Sequence, residues 1–371
     1  MKIFDIILPK NGVILMDILL IAQNSHQYRY FLNLKNNLPF IIEVVKPIHL
    51  CYKNYIDLKK ILELKKREIF YKYPKLKANL YFQYIKFITP FFEENYRYLI
   101  KKYNPKMVGF WNGVKYPQNI GVEIAKSLNK KTIFFENGFL PNTTQVDFKG
   151  VNNLNSVPRE KEFYKNLNYN NLALPQTLIP REFEGKQKIT DTKLPEKYIF
   201  VPFQVGYDSQ IIYFSDFTSM RELFYLIKEI SKKTNLNFVF KEHPSDKKNN
   251  YSDLYKQTDS KLMFANNIST QELIQKADSI ITINSSVGIE SLLFNKKVFV
   301  LGESFYRIEG VTIPSSKKKL LNDLTQNRKI DLTIIKKFLY YLYYDYLVID
   351  SWKNPTQTHF KQIEKKIKGI L

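Results

Sequence analysis

The feature that most constrains the fold is a regular alternation of two sequence patterns after Lys197. Short apolar runs, which predict buried strands, alternate with amphipathic stretches, which predict helices. The predicted strands are KYIFVPFQV, NFVFKEHP, SIITINSS and KKVFVLG, and the predicted helices are MRELFYLIKEISKKT, TQELIQKADS and VGIESLLFN. This order predicts a parallel sheet covered by helices, with ligands bound at the carboxyl ends of the strands.

A shorter unit of the same kind precedes it. MVGFWNG reads as a strand, NIGVEIAKSLNK as a helix and KTIFFENG as a second strand. Before this unit, LKKILELKKREIFYKY and FFEENYRYLIKKY have helical spacing and predict amphipathic surface helices. After Asp331, a predicted N-cap, the aromatic stretch IIKKFLYYLYYDYLV predicts one further helix.

The length of 371 residues favours two domains. We therefore predict an α/β fold with two Rossmann-like domains facing a cleft. Residues 1–180 form the N-terminal domain, residues 181–197 form a linker, and residues 198–330 form the C-terminal α/β domain. The linker lies in a stretch from about Asn168 to Lys197 that carries Pro175, Pro180, Gly185 and Pro195 among polar residues. Residues 331–371 form C-terminal helices, for which packing back on the N-terminal domain is one arrangement.

The charge indicates an anionic partner. Lys and Arg number 57 and Asp and Glu number 35, so the formal net charge is 57 − 35 = +22. Nucleic acid, anionic lipid headgroups, and a phosphorylated or carboxylated substrate would each be such a partner.

The single cysteine, Cys51, excludes an internal disulfide and a cysteine-built zinc site, which suits a reducing compartment. The apolar start is interrupted by Asp5, Pro9, Lys10 and Asp17, so we expect neither a secretory signal nor a membrane span.

Several common signatures are missing from the sequence. It contains no GxGxxG, no GxxxxGK[ST], no HExxH and no DxD. A Rossmann dehydrogenase, a P-loop nucleotide hydrolase and a zincin are therefore disfavoured. Two Rossmann-like halves joined by a linker, without a dinucleotide fingerprint, are the layout of a two-domain glycosyltransferase, which has its site in the interdomain cleft.

Two clusters of polar residues follow predicted strands of the second unit. In KEHPSD, Lys241 and His243 leave a strand end, where they either grip a phosphate or merely cap the loop. In TINSSVGIE, Asn284, Ser285 and Ser286 lie at a strand–helix junction, which is either an anion site or a plain N-cap. Glu290, one turn later, either accepts hydrogen bonds from a ribose or base or is solvated.

Two further clusters carry the candidate acids. In VPFQVGYDSQ, a strand runs into Gln204, Asp208 and Gln210, and a carboxylate beside amides suits chemistry at an anomeric carbon. The alternative for Asp208 is a simple turn residue. In FFENGFLPNTTQVDFKGVN, Glu136 ends a strand and is a candidate acid or base. Three asparagines are further cleft candidates: Asn112, Asn137 and Asn152.

These motifs, in this order, resemble the capsule polysaccharide β-Kdo transferases. WNG, ENGFLPNTTQVDFKGVN, QVGYDSQ, HP, SS, GIE and a strand ending VLG with FY after it are similar to motifs of that family. The resemblance covers about residues 108 to 306. It implies a GT-B-like, retaining enzyme that moves Kdo from CMP-Kdo to a lipid of the phosphatidylglycerol type in capsule linker synthesis. The chain has room for one catalytic module, as in the member that adds the first Kdo.

The resemblance also implies roles for individual residues. The position of Asp208 is the carboxylate expected to form a covalent glycosyl adduct, and Glu136 is the expected acid or base. His243, Ser285 and Ser286 fall on the CMP phosphate side, with Gln204, Gln210, Lys241, Asn284 and Glu290 as further donor-binding candidates. No cofactor and no metal are expected, because the leaving group is a nucleoside monophosphate. The N-terminal domain is then the acceptor side and the C-terminal domain binds the nucleotide sugar.

The expected partners follow from this function. They are the nucleotide-sugar donor, an anionic lipid acceptor, the inner membrane surface and a capsule assembly complex, with the protein cytoplasmic and peripheral on the inner membrane. One alternative is a CDP-glycerol (polyol) phosphotransferase of the teichoic-acid type, because the HP and SS clusters also resemble that family. The second is a basic nucleic-acid-binding protein, which the scattered lysines and the lack of a recognised binding motif disfavour, so we expect no nucleic acid.

Overall fold

Two six-stranded sheets organise the described part of this computed structural model. The structure describes residues 16–47, 56–169, 173–178, 193–246, 249–326 and 328–371. Cys51, the first fifteen residues and residues 181–192 of the predicted linker lie outside them. Among the described residues, no helix combines the length and the apolar character needed to cross a membrane.

The first sheet is built mainly from the N-terminal half of the chain. Its strands follow the order β12-β5-β4-β3-β1-β2, in which β1 to β4 are parallel and β5 is antiparallel to both of its neighbours, β4 and β12. The elements of this half are β1 (Ile18–Ile21), α1 (Ser25–Asn37), β2 (Ile42–Val45), α2 (Lys59–Lys72), α3 (Lys75–Tyr103), β3 (Met107–Trp111), α4 (Gln118–Ser127), β4 (Lys131–Asn137), β5 (Thr143–Asp147) and α5 (Lys161–Lys165).

The second sheet is parallel throughout and follows the order β11-β10-β9-β6-β7-β8. The elements of the remaining chain are β6 (Ile199–Pro202), α6 (Ser209–Phe214), α7 (Met220–Lys232), β7 (Phe238–Lys241), α8 (Ser252–Tyr255), β8 (Leu262–Phe264), α9 (Thr270–Lys276), β9 (Ser279–Thr282), α10 (Ser286–Leu292), β10 (Lys297–Val300), β11 (Ile313–Pro314), α11 (Leu320–Thr325), α12 (Leu332–Tyr340), β12 (Val348–Ile349) and α13 (Gln357–Lys368).

Helix starts in the second half follow the sequence closely. Ser219 accepts a hydrogen bond from Glu222 N, and Ser269 accepts one from Glu272 N, as in the S-x-x-E capping pattern. The predicted N-cap Asp331 is confirmed, because its side chain accepts from the backbone N–H of Thr333. The predicted α/β class, with two Rossmann-like domains facing a cleft, is confirmed by the two parallel-rich sheets.

The helix predicted over FFEENYRYLIKKY is longer in the structure. It begins at Lys75 and continues through Pro90 as the 29-residue α3. An interior proline costs a helix about 3 kcal/mol. Here the packing of Ile69 on α2 against Ala78, Phe82 and Ile85 on α3 offsets that cost.

The aromatic tail also departs from the prediction of a single helix. The helix α12 ends at Tyr340, residues Tyr341–Tyr346 form a wider π-helical turn, and β12 then pairs with β5 at the edge of the first sheet. The last helix, α13, buries Phe360, Ile363 and Ile367 in the core of that sheet. The end of the chain therefore lies on the N-terminal half.

A buried histidine fastens this tail to the first sheet. The ring of His359 on α13 is fully buried, and its Nδ1–H donates to Ile349 O at 2.9 Å. Since a carbonyl only accepts, the other ring nitrogen, Nε2, accepts from the Tyr30 hydroxyl at 2.9 Å. Burial lowers the pKa of His359 below 6.5, so the folded protein holds this imidazole neutral.

We expect the free energy of unfolding to fall as the pH drops below about 6.5. The unfolded chain binds a proton at His359 in that range and the folded chain does not, so stability is full above the unfolded pKa and is lost on acidification at up to about 1.4 kcal/mol per pH unit. Denaturant titrations between pH 7.5 and 5 measure it. The variant His359→Gln should show a flatter profile.

The matched control is His26→Gln at the exposed N-terminus of α1, which should keep the wild-type profile. If His359→Gln and the wild type lose stability in parallel over this range, His359 is not the titrating group.

Candidate functional site

A cleft lies where the carboxyl-end loops of the two sheets face each other. Its volume is about 290 Å³, close to the lower end of the range for small-molecule sites. Loops after β3, β4, β5, β6, β7, β9 and β10 line it. The lining residues are Asn112, Lys115, Glu136, Asn137, Gly138, Phe139, Asn152, Asn153, Gln204, Val205, Asp208, Ser209, Gln210, His243, Asn284, Ser285, Ser286, Ile289, Ser304, Phe305 and Tyr306.

Asn112 reaches the cleft through the sharp turn of the WNG motif. It adopts a left-handed backbone conformation with φ of 66°, and its Oδ1 accepts from the backbone N–H groups of Val114 and Lys115. Gly113, with φ of 75°, has no room for a side chain, because a Cβ would lie 2.4 Å from the ring of Phe134. The turn therefore holds the Asn112 amide at the end of β3.

The Glu136 carboxylate is held by N–H donors from two strand ends. Asn112 Nδ2 donates to its Oε2 at 2.7 Å. The backbone and side-chain N–H groups of Asn137 donate to its Oε1 at 2.9 and 3.0 Å. These bonds orient a half-buried carboxylate on the wall of the cleft that the first domain forms.

Gln145 on β5 links the other asparagines of this wall. Its Nε2 donates to Asn137 O at 2.5 Å and to Asn152 Oδ1 at 3.1 Å, and its Oε1 accepts from Asn152 N at 2.9 Å. Trp352 from the returning tail donates its Nε1–H to Asn137 Oδ1 at 2.8 Å. The C-terminal segment thus helps to orient the cleft residue Asn137.

On the opposite wall, Asp208 is the N-cap of the short helix α6. Its Oδ1 accepts from Gln210 N at 2.9 Å. The side chain is only half-buried and lines the cleft. Asp208 is therefore a capping residue at a turn, and its side chain also lines the cleft. The two interpretations drawn from the sequence do not exclude each other.

Gln204 and Asn284 form a buried pair of amides between the ends of β6 and β9. Gln204 Nε2 donates to Asn284 Oδ1 at 3.0 Å, and Asn284 N donates to Gln204 Oε1 at 3.2 Å. Asn284 Nδ2 also donates to Gln210 O at 2.7 Å, which holds α6 to the sheet. Both residues line the cleft, but most of their hydrogen-bonding groups are used within the protein.

Gln210 presents an unsatisfied donor in the cleft lining. Its Nε2 atom is buried and has no hydrogen-bond partner among the described residues. Leaving a buried donor unpaired costs about 1–3 kcal/mol, which a ligand oxygen placed there would offset.

His243, Ser285 and Ser286 line the same cleft. The Nδ1 of His243 accepts from Ser245 N at 3.1 Å, and Ser285 Oγ caps α10 by accepting from Val287 N.

Two of the predicted donor-binding residues lie outside the cleft lining. Lys241 Nζ donates to the backbone carbonyls of Asn266 and Ile268 at 2.6 and 2.7 Å, and burial lowers its pKa to about 8. Glu290 is buried within α10. The Lys241 ammonium is therefore bound by backbone carbonyls of the loop after β8.

Sequence reasoning missed some residues that line the cleft. Lys115 follows the WNG turn, and Ser304 precedes Phe305 and Tyr306, the FY pair. The Tyr306 hydroxyl donates to Ser285 O at 2.5 Å. The position of Lys115 four residues after Trp111, just beyond a strand end, was the available signal. Among the described residues, no group of three or more His, Cys, Asp or Glu is arranged to hold a metal ion.

The chain is similar to proteins of capsule polysaccharide biosynthesis. Residues 176–349 match the capsule polysaccharide biosynthesis protein family. The predicted resemblance to capsule polysaccharide proteins is confirmed by this match and by similarity to the two proteins described next. The chain is 35% identical to protein FixF of Sinorhizobium fredii over 254 residues, which are 67% of this chain and 62% of FixF. It is 26% identical to the capsule polysaccharide export protein KpsS of Escherichia coli over 59% of this chain and 72% of KpsS.

A solved structure supports the fold. The β-Kdo 2,7 transferase domain of KpsC from Thermosulfurimonas dismutans superposes with a TM-score of 0.50 at 15% identity, covering 95% of this chain and 99% of that one. At this identity the likeness concerns the fold alone, which is that of a two-domain GT-B glycosyltransferase. Because the chain spans less than two thirds of FixF, the activity of that whole protein is not transferred to it.

We expect Asn284→Asp to lower the free energy of unfolding by about 2–4 kcal/mol. The substitution removes the amide donor and places a carboxylate against the carbonyls of Gln210, Phe214 and Glu303, which repel it. Guanidinium unfolding monitored by circular dichroism measures the loss.

The control is Asn79→Asp, the same change at an exposed position of α3, which should change stability by less than about 0.5 kcal/mol. Equal stability of Asn284→Asp and the wild type would show that the amide pair does not hold α6.

Proposed function

We propose that this protein is a glycosyltransferase that moves Kdo from CMP-Kdo to a lipid acceptor of the phosphatidylglycerol type in capsule linker synthesis. The observation that carries the proposal is one cleft lined by an acid from each domain, Glu136 and Asp208, with polar loops beside them. The family match and the GT-B fold support the reaction class.

The proposed reaction has two displacement steps. In the first, an Asp208 carboxylate oxygen attacks the anomeric carbon of Kdo, the bond to the CMP phosphate oxygen breaks, and CMP leaves with the electron pair. In the second, an acceptor hydroxyl attacks the same carbon, Glu136 takes its proton, and the Asp208 carboxylate is released. Two inversions give overall retention of configuration.

The donor side is proposed to be the wall formed by the second domain. The unsatisfied Nε2 of Gln210 donates to an oxygen of the donor, and His243, Ser285 and Ser286 face the CMP phosphate. Gln204 and Asn284 support this wall mainly through their mutual bonds. Lys241 and Glu290 do not line the cleft. Lys241 binds the loop after β8, and Glu290 is buried within α10. No metal is required, since the leaving group is a nucleoside monophosphate, which carries less negative charge than a nucleoside diphosphate.

We expect the purified protein to transfer Kdo from CMP-Kdo to phosphatidylglycerol, and the variant Asp208→Asn to lose at least about three orders of magnitude in kcat. Asparagine keeps the helix-capping oxygen but cannot form the glycosyl ester. Mass spectrometry of the lipid acceptor measures product, and NMR of the product gives the anomeric configuration.

The matched control is Asp331→Asn, the same change at the N-cap of α12, which should leave kcat unchanged. Near-normal turnover of Asp208→Asn would remove Asp208 as nucleophile. Consumption of CDP-glycerol in place of CMP-Kdo would replace the proposal with the polyol phosphotransferase alternative.

The proposal also includes a location, peripheral on the cytoplasmic face of the inner membrane. A surface formed by α2 and α3 supports it, and we call this surface the basic–apolar face. Leu76, Leu80, Tyr84 and Phe87 recur every three or four residues on α3 and are 76, 68, 56 and 64% exposed. Their spacing places them on one side of the helix. Such a stripe of exposed apolar side chains is uncommon on a protein that works in water alone.

The charge around this stripe matches an anionic bilayer. Residues 56–90 contain nine Lys and Arg and three Asp and Glu, so 9 − 3 gives a local excess of +6. Lys66, Lys75, Lys77 and Lys86 are exposed. Each basic residue near an anionic lipid surface contributes about 1 kcal/mol, and partly inserted apolar side chains add to it. A capsule assembly complex is a further proposed partner, and nucleic acid is not one.

We expect the protein to sediment with vesicles that contain phosphatidylglycerol and much less with phosphatidylcholine vesicles, with binding reduced as salt rises from 50 to 500 mM because screening shortens the electrostatic reach. The triple variant Leu76→Ser, Leu80→Ser, Phe87→Ser should bind about tenfold or more weakly, since each side chain loses apolar burial.

The control carries Leu332→Ser and Tyr225→Ser, which change exposed apolar residues on α12 and α7. It should bind like the wild type. Equal, salt-independent binding to both vesicle types would contradict the electrostatic part of this assignment.

A further inference from the structure

A second cavity opens on the other side of Asp208. Its volume is about 390 Å³, and we call it the side cavity. It shares Lys115, Val205, Asp208 and Ser209 with the cleft. Its remaining lining comes from α2, from Tyr116 before α4, from the chain around α6 and from Ser245. Asp208 therefore borders two separate spaces, and a group in either one is next to its carboxylate.

Two lysines of the side cavity surround one glutamate. Lys65 and Lys72, one turn before and one turn after Glu68 on α2, both form ion pairs with it. All three side chains are at least four-fifths buried. Burial raises the pKa of Glu68, but hydrogen bonds and charges from Lys72 and Lys65 outweigh it and lower that pKa, so Glu68 is ionised.

The charges in the side cavity do not balance. Lys115 is exposed at its junction with the cleft and makes no ion pair among the described residues. Three cations face the two carboxylates of Glu68 and Asp208, and Asp208 is needed for chemistry under the proposed reaction. Lys65 and Lys72 are largely buried around the single carboxylate of Glu68, and an excess of positive charge that is partly withdrawn from water favours a bound anion.

Aromatic rings lie beside both α2 lysines of the side cavity. Lys65 Nζ lies 5.4 Å from the ring centre of Tyr116, and Lys72 Nζ lies 5.1 Å from that of Tyr207. Behind them, Tyr71 on α2 packs against Gly206, where a Cβ would lie 2.2 Å from the Tyr71 hydroxyl oxygen. The glycine permits α2 of the first domain to rest directly on the loop that carries Asp208.

We propose that the side cavity is the acceptor subsite and that Lys65, Lys72 and Lys115 bind the phosphodiester of an anionic lipid headgroup. This inference rests on the proposed function, in which an acceptor hydroxyl must reach the anomeric carbon beside Asp208 while the donor fills the cleft. The lysines hold the phosphate, so that a hydroxyl of the alcohol esterified to it points toward Asp208. The side cavity lies on α2, the same helix hairpin that carries the basic–apolar face, so a lipid has a short path from the bilayer surface.

Binding is measured without donor, by titration calorimetry with dihexanoyl phosphatidylglycerol below its micelle-forming concentration. We expect saturable binding that is at least tenfold tighter than that of dihexanoyl phosphatidylcholine, whose choline cancels the phosphate charge. Lys115→Gln and the double variant Lys65→Gln, Lys72→Gln should each weaken it at least tenfold. Glu68→Gln should tighten it severalfold, because it removes the anion that competes for both lysines.

Turnover provides a second readout. All the lysine variants should raise the KM for the lipid acceptor at least tenfold. The double variant Lys65→Gln, Lys72→Gln, which changes side chains outside the cleft lining, should also leave the KM for CMP-Kdo within twofold. The matched control is the double variant Lys126→Gln, Lys276→Gln, which removes two exposed lysines that are also ion-paired to glutamates, Glu123 and Glu272. It should behave as the wild type in both assays. Lys115, which has no ion pair to lose, keeps the test informative if the double variant in α2 fails to fold.

Each outcome decides a separate point. Unchanged lipid affinity in Lys115→Gln and in the folded α2 variants, or equal affinity for the two lipids, overturns the acceptor subsite even if Kdo transfer occurs. Lysine-dependent binding of phosphatidylglycerol without any transfer from CMP-Kdo supports the subsite and overturns the proposed reaction. Glycerol 3-phosphate that binds as tightly as the short-chain lipid identifies a soluble phosphate ester, and overturns the lipid assignment.

Discussion

The buried amide pair between Gln204 and Asn284 is the contact on which half of the cleft depends. It joins the ends of β6 and β9 through two reciprocal hydrogen bonds and reaches α6 through Gln210 O. The position of Asp208, the first residue before α6, follows from that tether. A parallel sheet brings strand ends to one edge, but it does not orient the loops that leave them. Here two neutral side chains do this in a region where a charged pair would be costly to bury.

The other half of the cleft depends on the end of the chain. The strand β12 extends the first sheet beyond β5, His359 bonds to Tyr30 within it, and Trp352 orients Asn137. Gln145 then connects Asn137 to Asn152. A segment far from the site in sequence therefore stabilises the wall that presents Glu136. The aromatic stretch before β12 packs elsewhere: Phe338, Leu342 and Tyr346 lie in the core cluster that includes strands of the second sheet.

The excess of positive charge is divided among several structural roles. Lys241 donates hydrogen bonds to backbone carbonyls. Lys65 and Lys72 form ion pairs with Glu68 beside Asp208. The lysines of α3 flank an exposed apolar stripe. Net charge alone pointed to an anion without saying which one. The placement of the lysines on one hairpin, next to a cavity that borders Asp208, is what favours an anionic lipid over nucleic acid.

The local pattern of the sequence determined the strands, most helix starts and the residues at the strand ends, because these depend on periodicity, capping and turn chemistry within a few positions. Asp331, Glu136 and Asp208 could be found in this way. The extent of α3 through Pro90, the return of the tail to β5, the loss of Lys241 to the loop after β8, and the meeting of Lys65, Lys72 and Lys115 beside Asp208 were decided only by the tertiary structure. Each of these depends on packing or on contacts between residues dozens of positions apart, and a single sequence carries no record of such distances.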